Sequence, residues 1–319
     1  LFRSPGTVSS PILGAYADVL RGMSGLSLEN NYGITSGAVN FYYNWGDHKI
    51  DDGYAAGGSS RGIFHSSDYM GGVNIYQSVG LFKGNTITGG FDTKIYGGDA
   101  YRGETVYADD VKLHEIAGYL FAQQELGRFM LNAGIRLENH KLYGTEWVPQ
   151  AGLSFKAADQ THLKLSVGKG FRTPNMRELY MYPPVNNEEL KPENSLSYDF
   201  TVSQGLLDNR LGMELTLYYI TGDNIIEVIE IPGGGRQNRN AGEFTNKGIE
   251  FSLDYRILNN LAGHTNYSYL HMENPIAGAP RHKLYAGITY NPGKFSFSAG
   301  AQLIDKLYLV GGENPQTSS

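Results

Sequence analysis

Apolar and polar positions alternate along most of this chain. Between Ile249 and Ile257, the residues Ile249, Phe251, Leu253, Tyr255 and Ile257 fall on one side of an extended backbone. Glu250, Ser252, Asp254 and Arg256 fall on the other. Leu211, Met213, Leu215, Leu217 and Tyr219 alternate in the same way with Gly212, Glu214, Thr216 and Tyr218. Phe129, Leu131, Ala133, Ile135 and Leu137 do so with Asn132, Gly134, Arg136 and Glu138. A two-residue period with one apolar face predicts half-buried β-strands. The pattern predicts about fourteen of them. They cover 16–31, 36–47, 69–82, 86–98, 113–126, 128–139, 146–157, 161–172, 195–206, 211–222, 245–257, 262–272, 282–291 and 295–306. Strands of globular sheets run to about five or six residues, whereas a tilted membrane-crossing strand needs about nine to eleven. Many of the predicted strands have the second length.

The connections alternate too. Tight turns fall near Gly33, Gly84, Gly127, Asp159, Asp208, Asn259 and Gly293, positions rich in the residues that tight turns require. Between them lie longer connections at 48–68, 99–112, 140–145, 173–194, 223–244 and 273–281. In an antiparallel up-and-down barrel every second turn lies on the same rim. One rim then carries tight turns and the other long loops, as in outer-membrane barrels. The expected fold is therefore all-β, an up-and-down transmembrane β-barrel whose polar strand faces line a hydrated lumen.

A soluble β-sandwich also alternates apolar and polar faces. Greek-key connections would not make short and long links alternate so regularly. Mid-strand charges at Asp92, Lys94, Arg136, Asp254 and Arg256 suit a wet lumen. Aromatics near strand ends (Tyr42, Tyr43, Trp45, Trp147, Tyr218, Tyr219, Tyr267, Tyr269, Tyr285 and Tyr290) suit interfacial girdles, although tyrosine also favours strands in general. Composition adds little beyond this. The 319 residues include 42 Gly, 23 Tyr and no Cys, with a net charge of −6. The weakly acidic balance gives no support to nucleic-acid binding. No apolar run is long enough for a membrane-spanning helix.

One stretch breaks the pattern. From Gly168 to Glu193 about twenty residues hold three prolines, Pro174, Pro183 and Pro184, and many apolar side chains. Proline removes a backbone donor, so this is loop or short helix. Its apolar content predicts that it folds against something. It contains Gly170-Phe171-Arg172-Thr173-Pro174, then Glu178-Leu179-Tyr180, then Asn187-Glu188-Glu189-Leu190-Lys191-Pro192-Glu193 before the next strand. In this order and spacing the stretch resembles the signature of TonB-dependent outer-membrane receptors. The motif covers under a tenth of the chain.

The resemblance implies a 22-stranded barrel whose lumen holds a separate plug domain. The fourteen predicted strands, with no plug and no signal peptide in view, are then expected to be a segment of such a barrel, with residues 1–319 forming one partial barrel domain. It also implies outer-membrane location in a Gram-negative bacterium, contact with outer-membrane lipid, and coupling to the TonB complex through the plug. The substrate would be a small molecule or metal chelate of the ferric-siderophore or cobalamin type. A passive channel, or a complete smaller barrel of about fourteen strands, is the alternative.

No catalytic constellation is present. There is no cysteine nucleophile, and Ser and His show no triad spacing, so no enzyme activity and no cofactor are expected. The eight histidines form no i, i+4 pair, and the Asp51-Asp52 and Asp109-Asp110 pairs read as solvated loop charges rather than metal ligands. Haem receptors of the resembled family carry a histidine in the motif loop, and residues 173–190 have none. Candidate substrate contacts are Arg177 and Tyr182 in the motif loop and Arg236 and Arg239 after a glycine run. Their guanidiniums and rings suit an anionic chelate. Arg172 is expected to hold the loop base.

Overall fold

The computed structural model describes residues 6–7, 10–55, 58–59, 62–310 and 316–317. Among the described residues, eighteen strands and one short helix make up the fold. The strands are β1 (Gly6–Thr7), β2 (Ser10–Leu13), β3 (Tyr16–Tyr32), β4 (Thr35–Asp51), β5 (Tyr54–Ala55), β6 (Phe64–Val79), β7 (Asn85–Arg102), β8 (Thr105–Leu126) and β9 (Phe129–His140). They continue as β10 (Gly144–Ala158), β11 (Thr161–Arg172), β12 (Glu193–Leu206), β13 (Leu211–Glu230), β14 (Arg236–Leu258), β15 (Leu261–Met272), β16 (Pro280–Tyr290), β17 (Phe297–Val310) and β18 (Gln316–Thr317). Helix α1 covers Met176–Tyr180.

All fourteen strands read from the pattern are present, as β3, β4 and β6 to β17. They run from 11 to 23 residues. Each is antiparallel to its sequence neighbour in one sheet, ordered from β18 and β17 back to β3, and the two-residue β18 is its fifteenth strand. Among the described residues no ladder joins β3 to β17 or β18, so the sheet is a partial barrel with an open edge at β3.

One face of the sheet is apolar and faces outward. Leu20, Leu120, Leu131, Trp147, Leu165 and Leu303 on this face are all exposed. Their registers stack them in rows, as where Phe129 opposes Phe155 with ring centroids 4.7 Å apart. Leaving each such side chain in water would cost about 1.5–3 kcal/mol, so this face needs lipid.

The other face is polar and crosslinked. Ser27 bonds Asn40, Asn40 bonds Asn74, and Asn74 bonds Asp92 across four adjacent strands. Arg136 reaches Asp92 across β8, over the small and buried Ala117. Lys94 pairs with Glu115 at 2.6 Å, and the Tyr96 hydroxyl donates to Glu115 at 2.8 Å. The mid-strand charges at 92, 94 and 136 thus lie on the lumen wall, each with a partner.

Several expectations change. The connection 99–112 is not a loop: β7 and β8 continue to a tight turn at Gly103, whose φ is 58°. The connection 223–244 is mostly a ribbon, because β13 and β14 keep pairing from Ile225 with Gly242 to Glu230 with Arg236. Glycine and polar residues masked both extensions, although the run Ile225, Ile226, Val228 and Ile229 is β-forming. Asp109 and Asp110 therefore lie in β8, and the Asp110 N–H donates to Asp99 at 2.6 Å. His65 lies in β6, stacked 5.0 Å from Tyr101.

The aromatic residues expected at girdles divide by face. Tyr43, Trp45, Trp147 and Tyr219 point outward. Tyr42, Tyr218 and Tyr285 lie on the lumen face, over glycines of neighbouring strands. A Cβ on Gly72 would stand 2.4 Å from the Tyr42 hydroxyl, and one on Gly248 would stand 2.3 Å from the Tyr218 hydroxyl. Tyr119 covers Gly90 in the same way, at 2.2 Å. Rings filling glycine slots give the high Gly and Tyr content a packing reason.

Candidate functional site

The motif loop, 173–192, leaves β11 at the rim of long connections and returns to β12. Buried Pro174 ends the ladder. Asn175 then starts α1: its side chain accepts the Glu178 N–H at 3.0 Å, while Glu178 accepts the Asn175 N–H at 2.8 Å. This capping box stabilises a helix too short to persist alone.

Three ties hold the loop. The first is at its base. Arg172 and Glu193 are register partners at the ends of β11 and β12. The Arg172 guanidinium donates to both Glu193 oxygens at 2.6 Å and to both Glu178 oxygens at 2.9 and 3.1 Å. Glu193 also accepts the Ile226 N–H at 2.8 Å, which binds the foot of the β13–β14 ribbon into the same knot. A planar fork serves two carboxylates in a way an ammonium cannot. Gly170 lies below on the same face, where a Cβ would meet the Ser195 hydroxyl at 2.8 Å.

The second tie runs along β14. Asn238 and Asn240, two residues apart, both turn their amides to the loop. The Asn238 N–H donates to the Val185 carbonyl at 2.8 Å, and its side chain donates to the Glu178 carbonyl at 3.2 Å. Buried Asn187 donates to the Asn238 carbonyl at 2.9 Å. Asn240 accepts the Lys191 N–H and donates to the Lys191 and Asn224 carbonyls, at 2.8, 2.8 and 2.7 Å. Buried Leu179 and Leu190 pack beneath. We expect Asn240→Ala to remove about 1–2 kcal/mol of local stability. Amide exchange at Lys191 should rise roughly tenfold; an unchanged rate would show that the loop holds itself.

The third tie is apolar. Tyr180 and Met181 pack on a cluster of Phe64, Ala100 and Ala108, bordered by Ile50, Tyr107 and Val111. Tyr182 leans on Tyr107, with ring centroids 6.0 Å apart, and Tyr107 on Phe64 at 6.1 Å. The Arg177 guanidinium lies over the Tyr182 ring at 5.1 Å. Burial, and then the Glu188 carboxylate, push the Tyr180 phenol above its ordinary value, so it stays a donor.

The structure thus brings Arg177 and Tyr182 together. It does not bring Arg236 and Arg239 to them: both lie exposed on the ribbon, in register with Glu230 and Glu227. Phe171 and Thr173 are half-buried at the loop base, and Pro192 is buried where the chain rejoins β12. Sequence reading placed Asn187 in the motif but missed the roles of Asn238 and Asn240, and it missed Tyr107. The asparagine spacing, two apart beside a glycine turn, was the available signal.

The comparisons agree with this architecture. The profile of the family described as TonB dependent receptor-like, beta-barrel matches residues 9–318. The chain belongs to that family, and so to the β-barrels of the Gram-negative outer membrane. It is 27% identical over 99 residues to the vitamin B12 transporter BtuB of Photobacterium profundum, 31% of this chain and 16% of that protein. It is 23% identical over 209 residues to an uncharacterized TonB-dependent receptor of Haemophilus influenzae, 56% of this chain and 60% of that one. The crystal structure of the siderophore receptor PirA from Acinetobacter baumannii superposes with a TM-score of 0.80 at 14% identity, over 95% of this chain and 52% of that one. A mutant of the ferric enterobactin receptor PfeA from Pseudomonas aeruginosa gives 0.79 at 15% identity, over 92% and 50%. The chain spans about half the length of these solved relatives.

Proposed function

We propose that this chain is the barrel part of a receptor that imports a scarce, large nutrient across the outer membrane. The nutrient is of the ferric-siderophore or cobalamin type, and the TonB system supplies energy through a plug domain. The observation that carries this reading is the loop 173–192. It is fixed to the rim by a two-carboxylate knot and an asparagine row, and it presents Arg177 and Tyr182 beside other rim aromatics. A passive pore needs no such built ligand-facing platform. Arg177 and Tyr182 are proposed substrate contacts, and Arg236 and Arg239 attract an anionic substrate from further out.

The test is uptake by cells carrying the full-length receptor, with and without TonB. Accumulation of a ferric-siderophore or of cobalamin only with TonB supports the reading. Steady conductance in planar bilayers with no TonB-dependent uptake replaces it with the passive-channel alternative. The double variant Arg236→Ala/Arg239→Ala should slow association with an anionic substrate by roughly two- to fivefold at low salt. The deficit should vanish near ~1 M salt, where charges are screened beyond about 3 Å.

A further inference from the structure

A buried polar cluster stands on the lumen wall at the rim end of β9. Lys94, Glu115 and His140 lie side by side in one register row across β7, β8 and β9. The His140 side chain is 3% exposed and that of Glu115 5%. Its hydrogen bonds run in one direction. The Leu142 N–H donates to His140 Nδ1 at 3.0 Å, so the ring proton sits on Nε2. Nε2 lies 2.9 Å from the Tyr96 oxygen, and the Tyr96 hydroxyl donates to Glu115 at 2.8 Å. Lys94 meets the other Glu115 oxygen at 2.6 Å. Every donor in this chain finds an acceptor only while His140 is neutral.

A second proton on the ring must go to Nδ1. It would face the Leu142 N–H, donor against donor, and the turn 141–143 would lose that bond. The turn carries Tyr143, whose ring stacks on His140 with centroids 4.5 Å apart. The Tyr143 hydroxyl is buried. Burial raises its phenol above the ordinary value, and Tyr180 and Glu178 of the motif loop add to that effect. Tyr143 thus connects His140 to the α1 end of the loop. The charges around the ring are mixed. Glu115, 3.5 Å from Nε2, favours the imidazolium, while Lys94 and His114 oppose it. Glu138 on β9 is held by Arg136 at 2.9 Å, and Glu146 on β10 by Lys169 at 3.0 Å.

We propose that neutral His140 is a positioning residue for loop 173–192, and that its protonation unseats Tyr143 and frees α1. Arg177 and Tyr182 belong to the freed segment, so the rim platform is firm at neutral pH and slack in acid. The tie is complete above about pH 7 and fails as pH falls through the imidazole range near 6.5.

The test is amide exchange of the full-length receptor in detergent micelles, from about pH 7.5 to about pH 5, corrected for intrinsic rates. Protection of residues 176–181 should fall at least about fivefold across that range, while the β11 and β12 ladders hold theirs. His140→Asn places an oxygen near the Nδ1 position and takes up no proton, so its loop protection should not follow pH. Glu178 and Glu193 remain in both proteins, so any loosening through those carboxylates appears equally in each. Tyr143→Ala should be loose at every pH. Where His140→Asn fails to fold, Tyr96→Phe decides: Nε2–H then faces Glu115 directly, and the fall should move to higher pH. Wild-type protection that ignores pH, an equal fall in His140→Asn, wild-type behaviour in Tyr143→Ala, or an unmoved fall in Tyr96→Phe overturns the proposal. The readout needs no substrate, so its failure leaves the uptake reading untouched.

Discussion

Replacing Arg172 with alanine is expected to free loop 173–192 from the barrel rim. Four charge-assisted hydrogen bonds disappear, and Glu178 and Glu193 are left facing each other without the cation between them. Hydrogen bonds to charged groups contribute about 1.5–3 kcal/mol each in favourable settings. The Arg172 side chain is 44% exposed, so solvent screening brings the net loss for the whole knot to roughly that same range. Amides of residues 175–191 should then exchange at least tenfold faster, while those of the β11 and β12 ladders keep their protection. Arg172→Lys should resemble the alanine variant, because an ammonium cannot fork to two carboxylates. Unchanged loop protection in Arg172→Ala would mean that the asparagine row alone sets the loop.

Alanine at Gly98 should damage the fold severely. Gly98 has a φ of 151°, and its Cβ would stand 1.9 Å from the Ser67 carbonyl oxygen. That oxygen belongs to the backbone of β6 and cannot swing away. The site is also where the β7–β8 register slips, between Gly98 and Ala100. Overpacking and backbone strain of this kind cost about 1–3 kcal/mol each. Urea unfolding in detergent micelles, followed by the fluorescence of Trp45 and Trp147, should show the loss. Gly118→Ala is the control, because nothing lies within 4 Å of its added carbon. Equal stability of the two variants would refute the account of the bulge.

The strands were legible because their signal is local. A barrel wall must be apolar on one side and polar on the other at every second residue, so each strand declares itself within ten residues. The strand ends were less legible. Beyond the membrane the alternation has no lipid to answer to, so β13 and β14 run on through Ile225–Glu230 and Arg236–Asn240 without it. The motif gave Arg172, Glu178 and Glu193 by resemblance, and the register of β11 against β12 explains why those types stand there. The partners of the loop were illegible. Asn187 meets Asn238 across 51 positions, and no local pattern encodes a contact of that separation. Tyr107 was hidden for a related reason: it lay in a segment that read as loop, and its meaning comes only from Tyr182, on another part of the rim.

The asparagine row also bears on engineering. Segments 173–192 and 236–240 are distant in the chain but share one set of donors and acceptors. A graft that moves only the first onto another receptor's barrel would arrive with Glu178, Val185 and Lys191 offering bonds to amides the host does not supply. Transplanting ligand preference from this protein therefore requires both segments together, as a single cassette cut at Arg172, Glu193, Asp223 and Thr245.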